Sequence, residues 1–262
     1  MRNLMIKYTV FALGGATFRQ NGDNMNYIDI HCHILSGVDD GAQSDAEMYT
    51  MLDEAYADGT RTICFTPHYN PAYFGETHAR SAAAYSRALE YVREHYPDMT
   101  LYIGNELFYY DGCVNALIGG ECRTMNGTRY VLVDFPFDAS FGYIYSALRE
   151  LISSGYLPVF AHVERYDCVK PPFRNLTELR EMGVVIQINS TSLRGNWGRG
   201  IQKKTVKLLR RHIPQILASD AHGGDVRHPR LGDCAEQIKT ICDETYADDL
   251  LRKNPLKIIG IK

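Results

Sequence analysis

The chain has 262 residues, with 28 Lys and Arg against 31 Asp and Glu for a net charge of −3. That length can bury one large core, and barrels of roughly 200–250 residues are commonly single domains. Mixed-sign composition without a basic patch argues against nucleic acid, and no run of about 18 apolar residues exists to span a bilayer, which leaves small molecules and proteins as partners.

In chain order, Arg2 and Lys7 precede "YTVFALGGA", a weak imitation of a signal peptide whose apolar stretch is short and broken by two glycines. Residues 1–24 read as a loosely ordered extension and 25–262 as one domain, with Met25 as an alternative start just before the first strand. Seven β-rich runs then recur: Tyr27–Ile30, Thr62–Phe65, Leu101–Ile103, Tyr130–Phe135, Leu157–Phe160, Val184–Ile188 and Ile213–Leu217. Between them lie stretches long enough for a helix. In the first, Ser44 and Glu47 make a capping box, Met48, Met51, Leu52 and Ala55 form one apolar face, and Gly59 supplies the stop. Gly155 and Gly183 mark similar stops before later strands.

Strand–helix–strand repetition predicts an α/β protein of parallel strands with right-handed crossovers, as an open sheet or a closed barrel. The C-terminal ends of the runs read "DIHCH", "FTPH", "GNE", "VDF", "AHVER", "QINS" and "ASDAH", and all but "QINS" carry a His, Asp or Glu. Strand alternation points His31 and His33 to one side, and Asp220 and His222 likewise. Singly, His68 or His162 reads as a structural histidine, and Glu106 or Asp134 as a helix cap. Together, five of the nine histidines gather at strand ends beside four acids, and burying so many ionisable groups without cations would be very costly.

Imidazole and carboxylate without thiolate suit Mn²⁺, Fe²⁺ or Zn²⁺. Three divalent cations would bring about +6 against about −4 from Asp40, Glu106, Asp134 and Asp220, and a residue of about +2 attracts a phosphate dianion. Adjacent ions sharing a carboxylate generate hydroxide at neutral pH, which is phosphoester hydrolysis chemistry. A closed barrel converges these ends more easily than an open sheet. Arg165 and Arg227 follow His162 and His222 on loops above the same face, and a planar guanidinium suits paired phosphate oxygens, although each alone reads equally well as a surface residue.

The motifs "DIHCHILSGVDDGA", "TPH", "GNE", "AHVERYD" and "ASDAH" resemble the PHP (polymerase and histidinol phosphatase) superfamily of metallohydrolases, from about Asn26 to the C-terminus. "HCHILSGVDDGA", with "ERY" after the fourth motif and "TSLRGNWGRGIQKK" before the last, is similar to the manganese-dependent tyrosine phosphatases of bacterial capsule and exopolysaccharide systems, the CpsB/YwqE type. The resemblance implies a distorted (β/α)7 TIM-like barrel with three metal ions, Mn first and Fe or Zn as alternatives, at the C-terminal strand ends. It implies ligands at His31, His33, Asp40, His68, Glu106, Asp134, His162, Asp220 and His222, with Glu106 bridging, and a phosphate-binding pair at Arg165 and Arg227. Asp40 is preferred to Asp39 because the family's acid directly precedes the glycine, here Gly41. Where relatives usually carry Glu, this chain has Asp134 in "VDFPF", which puts occupancy of that metal in doubt.

The implied substrate is phosphotyrosine on a bacterial tyrosine kinase controlling polysaccharide export, attacked by metal-activated hydroxide. Neither nucleic acid nor stable membrane insertion is expected, and homo-oligomerisation is left open. Seven cysteines, odd in number and without a C-x-x-C pair, suit free thiols and a cytoplasmic location. The rivals are a phosphatase for a small phosphomonoester such as histidinol phosphate, and a non-catalytic metal-binding regulator. Tyr69, Tyr109 and Tyr110, just beyond ligand positions, read equally well as walls for an aromatic substrate and as exposed loop aromatics without function. Cys168-Val-Lys-Pro-Pro-Phe-Arg174 has the C-x5-R spacing of thiol-dependent tyrosine phosphatases, but Pro171 and Pro172 offer no N–H to an anion nest and the match reads as chance.

Overall fold

A computed structural model of the chain describes residues 26–75, 77–223 and 227–261. The extension expected at 1–24 and the alternative start at Met25 lie outside the described residues. Nine strands are present among them: β1 (Tyr27–Asp29), β2 (Thr60–Phe65), β3 (His68–Tyr69), β4 (Thr100–Ile103), β5 (Glu106–Phe108), β6 (Tyr130–Asp134), β7 (Leu157–Phe160), β8 (Val185–Asn189) and β9 (Ile216–Ala218). Every pairing is parallel. The order is β1-β2-β4 in one sheet and β3-β5-β6-β7-β8-β9 in the other.

Seven runs become nine strands because two of them break and resume. Pro67 has no N–H and interrupts the ladder between β2 and β3. At the break between β4 and β5 the buried Asn105 substitutes side-chain bonds, its Nδ2 donating to Pro67 O at 2.8 Å and its Oδ1 accepting from Arg123 N at 2.8 Å. The last run starts late: Pro214 cannot donate, so the strand begins at Ile216, while Ile213 packs into a different core region.

The helix Asp45–Ala57 forms where its periodicity predicts. Ser44 Oγ accepts from Glu47 N at 3.2 Å, and Met48, Met51, Leu52 and Ala55 are buried. The reciprocal arm of the box is displaced by one residue, since Glu47 Oε2 accepts from Gln43 N at 2.8 Å. Gly59 ends the turn at φ 99°, a left-handed value that costs glycine nothing.

Strands are covered on both faces, as their near-continuous apolar runs require. One face of the strands contributes Ile28, Ile30, Leu132, Val159, Ile216 and Ala218 to a common apolar cluster that also includes Met125, Ile258 and Ile259. The helices Asp45–Ala57 and His78–His95 cover the outside of the smaller sheet. No helix among the described residues is long and apolar enough to cross a membrane. What this framework leaves for chemistry is the set of strand C-termini.

Candidate metal centre

The structure brings together all nine residues named as ligands from the sequence. Their donor atoms fall into three groups, His33–Asp40–His68–His222, His31–His33–Glu106–Asp220 and Glu106–Asp134–His162, each with its atoms within 4.8 Å of one another. His33 and Glu106 each belong to two groups.

Glu106 is the hub. Its Oε1 lies 3.2 Å from His31 Nε2 and 3.0 Å from His162 Nε2, and its Oε2 lies 3.1 Å from both His33 Nε2 and His68 Nδ1. The Nε2 atoms of His31 and His33 are 3.4 Å apart, and at least one must point a lone pair at the other. Donors about 2.1 Å from one tetrahedral ion lie about 3.4 Å apart, so the spacing matches side chains built around shared cations. Within the same cluster, buried His68 Nδ1, Glu106 Oε2 and His222 Nε2 have no hydrogen-bond partner of acceptable geometry. Unpaired atoms of this kind are expensive, and a divalent cation satisfies them in one step. The residues present fit such ions.

Metal-free electrostatics agree. Burial by itself would raise the Glu106 pKa, yet the surrounding imidazoles hold it well below the ordinary value. Burial likewise opposes protonation of His33, but Asp39 and Glu106 beside it raise its pKa to about 10. His68 and His222 are pushed down by burial and by the charge on His33. Asp134 is raised by burial.

A surrounding layer fixes the ring orientations. Asp39 Oδ2 accepts from His33 Nδ1 and from His68 N, both at 2.8 Å, and its Oδ1 accepts from Gly41 N at 3.1 Å. Asp40 instead turns to the cluster, Oδ1 being 3.4 Å from both His68 Nε2 and His222 Nε2, and those neighbours bring its pKa to about 2 despite partial burial. The two adjacent acids therefore do different things. Gly41 is required by contact, because a Cβ there would sit 1.8 Å from His33 O. We expect Asp39→Asn, which unbalances three N–H bonds, to weaken Mn²⁺ binding by about 10–100-fold in a titration of metal-free protein.

Sequence reasoning missed the contribution of "QINS", the one strand end without a His or acid. Gln187 Oε1 takes His162 N at 2.7 Å and faces His31 Nδ1 at 3.2 Å. Gln187 Nε2 then donates to Asn189 Oδ1, and Asn189 Nδ2 to Asp220 Oδ2, both at 2.7 Å. Two amides at i and i+2 on one strand were the available signal. Tyr166 was also missed: its buried hydroxyl donates to Asp134 Oδ1 at 2.5 Å, and Phe135 N adds a second bond at 2.7 Å. This holds the shortened acid in the cluster, 3.6 Å from His162 Nε2.

Two readings need correction. Strand alternation accounts for His31 and His33, but Asp220 has φ 52° and His162 φ 33°, so these two reach the cluster from left-handed turns and not from extended backbone. Tyr69 and Tyr109 are buried in the apolar core with their hydroxyls on Glu121 and Glu150, and Tyr110 packs beside them. Aromatic rings beside the cluster include instead Phe74, stacked on His68 at 4.6 Å, and Phe137, edge-on to His162 at 5.6 Å.

Both arginines converge on Asp220. Arg227 lies 2.6 Å from its Oδ1 and donates through Nε to its backbone O at 3.2 Å, and Arg165 is 3.5 Å from Oδ2. Against its burial, His31 first and then Arg227, His222 and His162 hold Asp220 ionised far below the ordinary range. Elsewhere, burial pushes the Cys168 thiol up, away from a thiolate nucleophile, and Arg174 opens a separate helix with its side chain exposed. Cys168→Ser should leave phosphatase turnover within about twofold, an ordinary surface effect.

A parallel α/β protein whose strand ends gather imidazoles and carboxylates fit for divalent cations is the class that fold and site define. More narrowly, the chain belongs to the family described as capsular polysaccharide synthesis, CpsB/CapC, whose model matches residues 27–260. It is 32% identical over 237 residues, 88% of this chain and 98% of the relative, to the tyrosine-protein phosphatase CpsB of Streptococcus pneumoniae. It is 35% identical over 204 residues, 77% of this chain and 79% of the relative, to the tyrosine-protein phosphatase YwqE of Bacillus subtilis. A solved structure from the work on YwqE and CpsB, described as unique metal-dependent tyrosine phosphatases, superposes with TM-score 0.80 at 30% identity, covering 88% of this chain and 94% of its own.

Proposed function

We propose that this chain is a metal-dependent protein-tyrosine phosphatase whose substrate is phosphotyrosine on a bacterial tyrosine kinase of capsular or exopolysaccharide synthesis. One observation carries the reading: three donor groups overlap through His33 and Glu106, with two arginines beside them. The nine named side chains are the ligands of three divalent cations, Mn²⁺ first. Bound there, the cations supply a nucleophile from water at neutral pH and Lewis acidity toward the phosphoryl group.

The chain's own residues do the rest. Arg227 and Arg165 take phosphoryl oxygens and spread the charge that develops as phosphorus is attacked. Asp220 holds both guanidiniums at the edge of the cluster, and Asp39 and Gln187 keep His33 and His31 presenting Nε2 to it. No protein atom is needed as nucleophile, and a phenolate of pKa about 10 leaves without a dedicated acid.

The finer architecture belongs to the same proposal: the ladder closes into a distorted (β/α)7 barrel and residues 25–262 act as one domain. Supporting closure, Asp220 N donates to His31 O and His33 N to Ala221 O, both at 2.7 Å, joining the extensions of β1 and β9. A cytoplasmic location follows from the substrate and from cysteines that are all free thiols.

The test compares kcat/KM on a phosphotyrosyl peptide and on histidinol phosphate with Mn²⁺ supplied. Preference for the peptide, with turnover lost on chelation and restored by Mn²⁺, is expected; preference for histidinol phosphate or no turnover overturns the substrate assignment. A pH effect accompanies loading. His33 has its metal-free pKa raised to about 10, so it is protonated at pH 7 and must release that proton to bind a cation. Calorimetry in buffers of different ionisation enthalpy should detect at least about one proton released at pH 7, and metal affinity should rise with pH toward that pKa.

A further inference from the structure

The two arginines are held in different ways. Arg227 is fixed by hydrogen bonds to Asp220 O and Oδ1. The Arg165 guanidinium carbon lies over two rings, 4.2 Å from the centroid of Phe137 and 4.4 Å from that of Trp197. Its single guanidinium hydrogen bond among the described residues is the 3.5 Å contact to Asp220 Oδ2. Contact with two rings restrains the guanidinium without consuming its N–H groups, so most of the five donors stay available.

Both rings are themselves anchored. Trp197 Nε1 donates to Thr191 Oγ1 at 3.3 Å, and its turn is closed by Gly198 N to Gly195 O at 2.9 Å and Asn196 N to Thr191 O at 3.1 Å. Phe137 packs edge-on against Tyr166 at 5.5 Å and His162 at 5.6 Å, and its carbonyl accepts from Asp167 N at 2.9 Å. The same indole lies 5.8 Å from the Arg227 guanidinium, so one ring borders both cations.

We propose that Trp197 and Phe137 are positioning residues for Arg165, an aromatic clamp of two rings that sets the guanidinium edge toward the phosphoryl oxygens before substrate arrives. The inference rests on the phosphatase reading above. Its energetic content is preorganisation: an unclamped arginine must be ordered by the substrate, at the expense of catalysis.

The experiment uses full-length, Mn²⁺-supplied protein and the variants Trp197→Ala, Trp197→Phe, Phe137→Ala, Arg165→Ala and the double variant Trp197→Ala/Arg165→Ala. Trp197→Ala should lower kcat/KM on a phosphotyrosyl peptide by about 5–30-fold, the range of a desolvated cation–π contact, with the orthophosphate inhibition constant rising in parallel. Trp197→Phe should restore activity to within about threefold, because a π face remains. In the Arg165→Ala background Trp197→Ala should add less than about twofold, the coupling expected if the ring acts through the arginine. A loss that multiplies in that background, or a Trp197→Ala enzyme that is unimpaired, overturns the clamp.

A second readout needs no turnover. Trp197 is the sole tryptophan of the chain, so its emission at constant Mn²⁺ should change on orthophosphate addition in the wild type and not in Arg165→Ala. An emission indifferent to phosphate overturns the clamp. Should the wild type fail to hydrolyse the peptide, the substrate reading falls, and the orthophosphate titration still decides whether Arg165 and Trp197 act together. If Trp197→Ala does not fold, Phe137→Ala and Trp197→Phe carry the same comparison.

Discussion

Glu106→Gln should lower kcat/KM on a phosphotyrosyl peptide by about a thousandfold and strip the protein of a large part of its bound metal. Four imidazole nitrogens lie within 3.2 Å of its two oxygens, and it is shared between two of the three donor groups. Glutamine keeps the shape but offers one acceptor oxygen and an NH₂ that cannot ligate. The hub then loses its charge and one of its two donor atoms, which affects two groups at once. A loss of about 4 kcal/mol in transition-state stabilisation is about a thousandfold in rate, in the range attributed to metal centres. The measurement pairs elemental analysis with kinetics, and far-UV circular dichroism verifies the fold. Wild-type metal content together with wild-type turnover would remove Glu106 from the centre.

Arg227→Ala should behave in the opposite way with respect to metal. Its guanidinium is 2.6 Å from Asp220 Oδ1, an oxygen that also lies 3.4 Å from His31 Nε2, so arginine and cation address the same acid. Removing the arginine leaves the donor groups intact, and metal content should stay at the wild-type level. Turnover should nonetheless fall by about 10²–10³-fold, the usual effect of deleting one preorganised donor to a developing anion. Arg165→Ala is the natural companion, and its weaker hold on Asp220 predicts even less disturbance of metal loading. Unchanged rates in Arg227→Ala would sink the phosphate-clamp role.

The fold was legible wherever a single local force dominates. The helix Asp45–Ala57 was readable because cap, apolar stripe and glycine stop all agree, and the seven β-rich runs were readable because parallel strands are apolar on both faces. The breaks at Pro67 and Asn105 were not, since a two-residue interruption leaves periodicity almost unchanged. In the site, the histidines and acids stood out because burying them has no cheap alternative explanation. Gln187, Asn189 and Tyr166 did not stand out: amides and a phenol are ordinary in a core, and only the distances to His31, His162, Asp134 and Asp220 reveal their work. The aromatic wall failed in the sequence for a related reason. Adjacency along the chain put Tyr69 and Tyr109 beyond ligand positions, but alternation along β3 and past the end of β5 sends both into the apolar core.

The seam where His31 O receives Asp220 N joins the first strand to the last, with most of the polypeptide between them. Closing so long a loop is entropically slow, and it must come before the second donor group can exist. A nascent chain still missing β9 has His31, His33 and Glu106 but lacks Asp220, His222 and Arg227. Copies that stop short of Asp220 should therefore be inert toward phosphate esters however much manganese surrounds them, and hydrolytic competence arrives only once synthesis has passed Arg227.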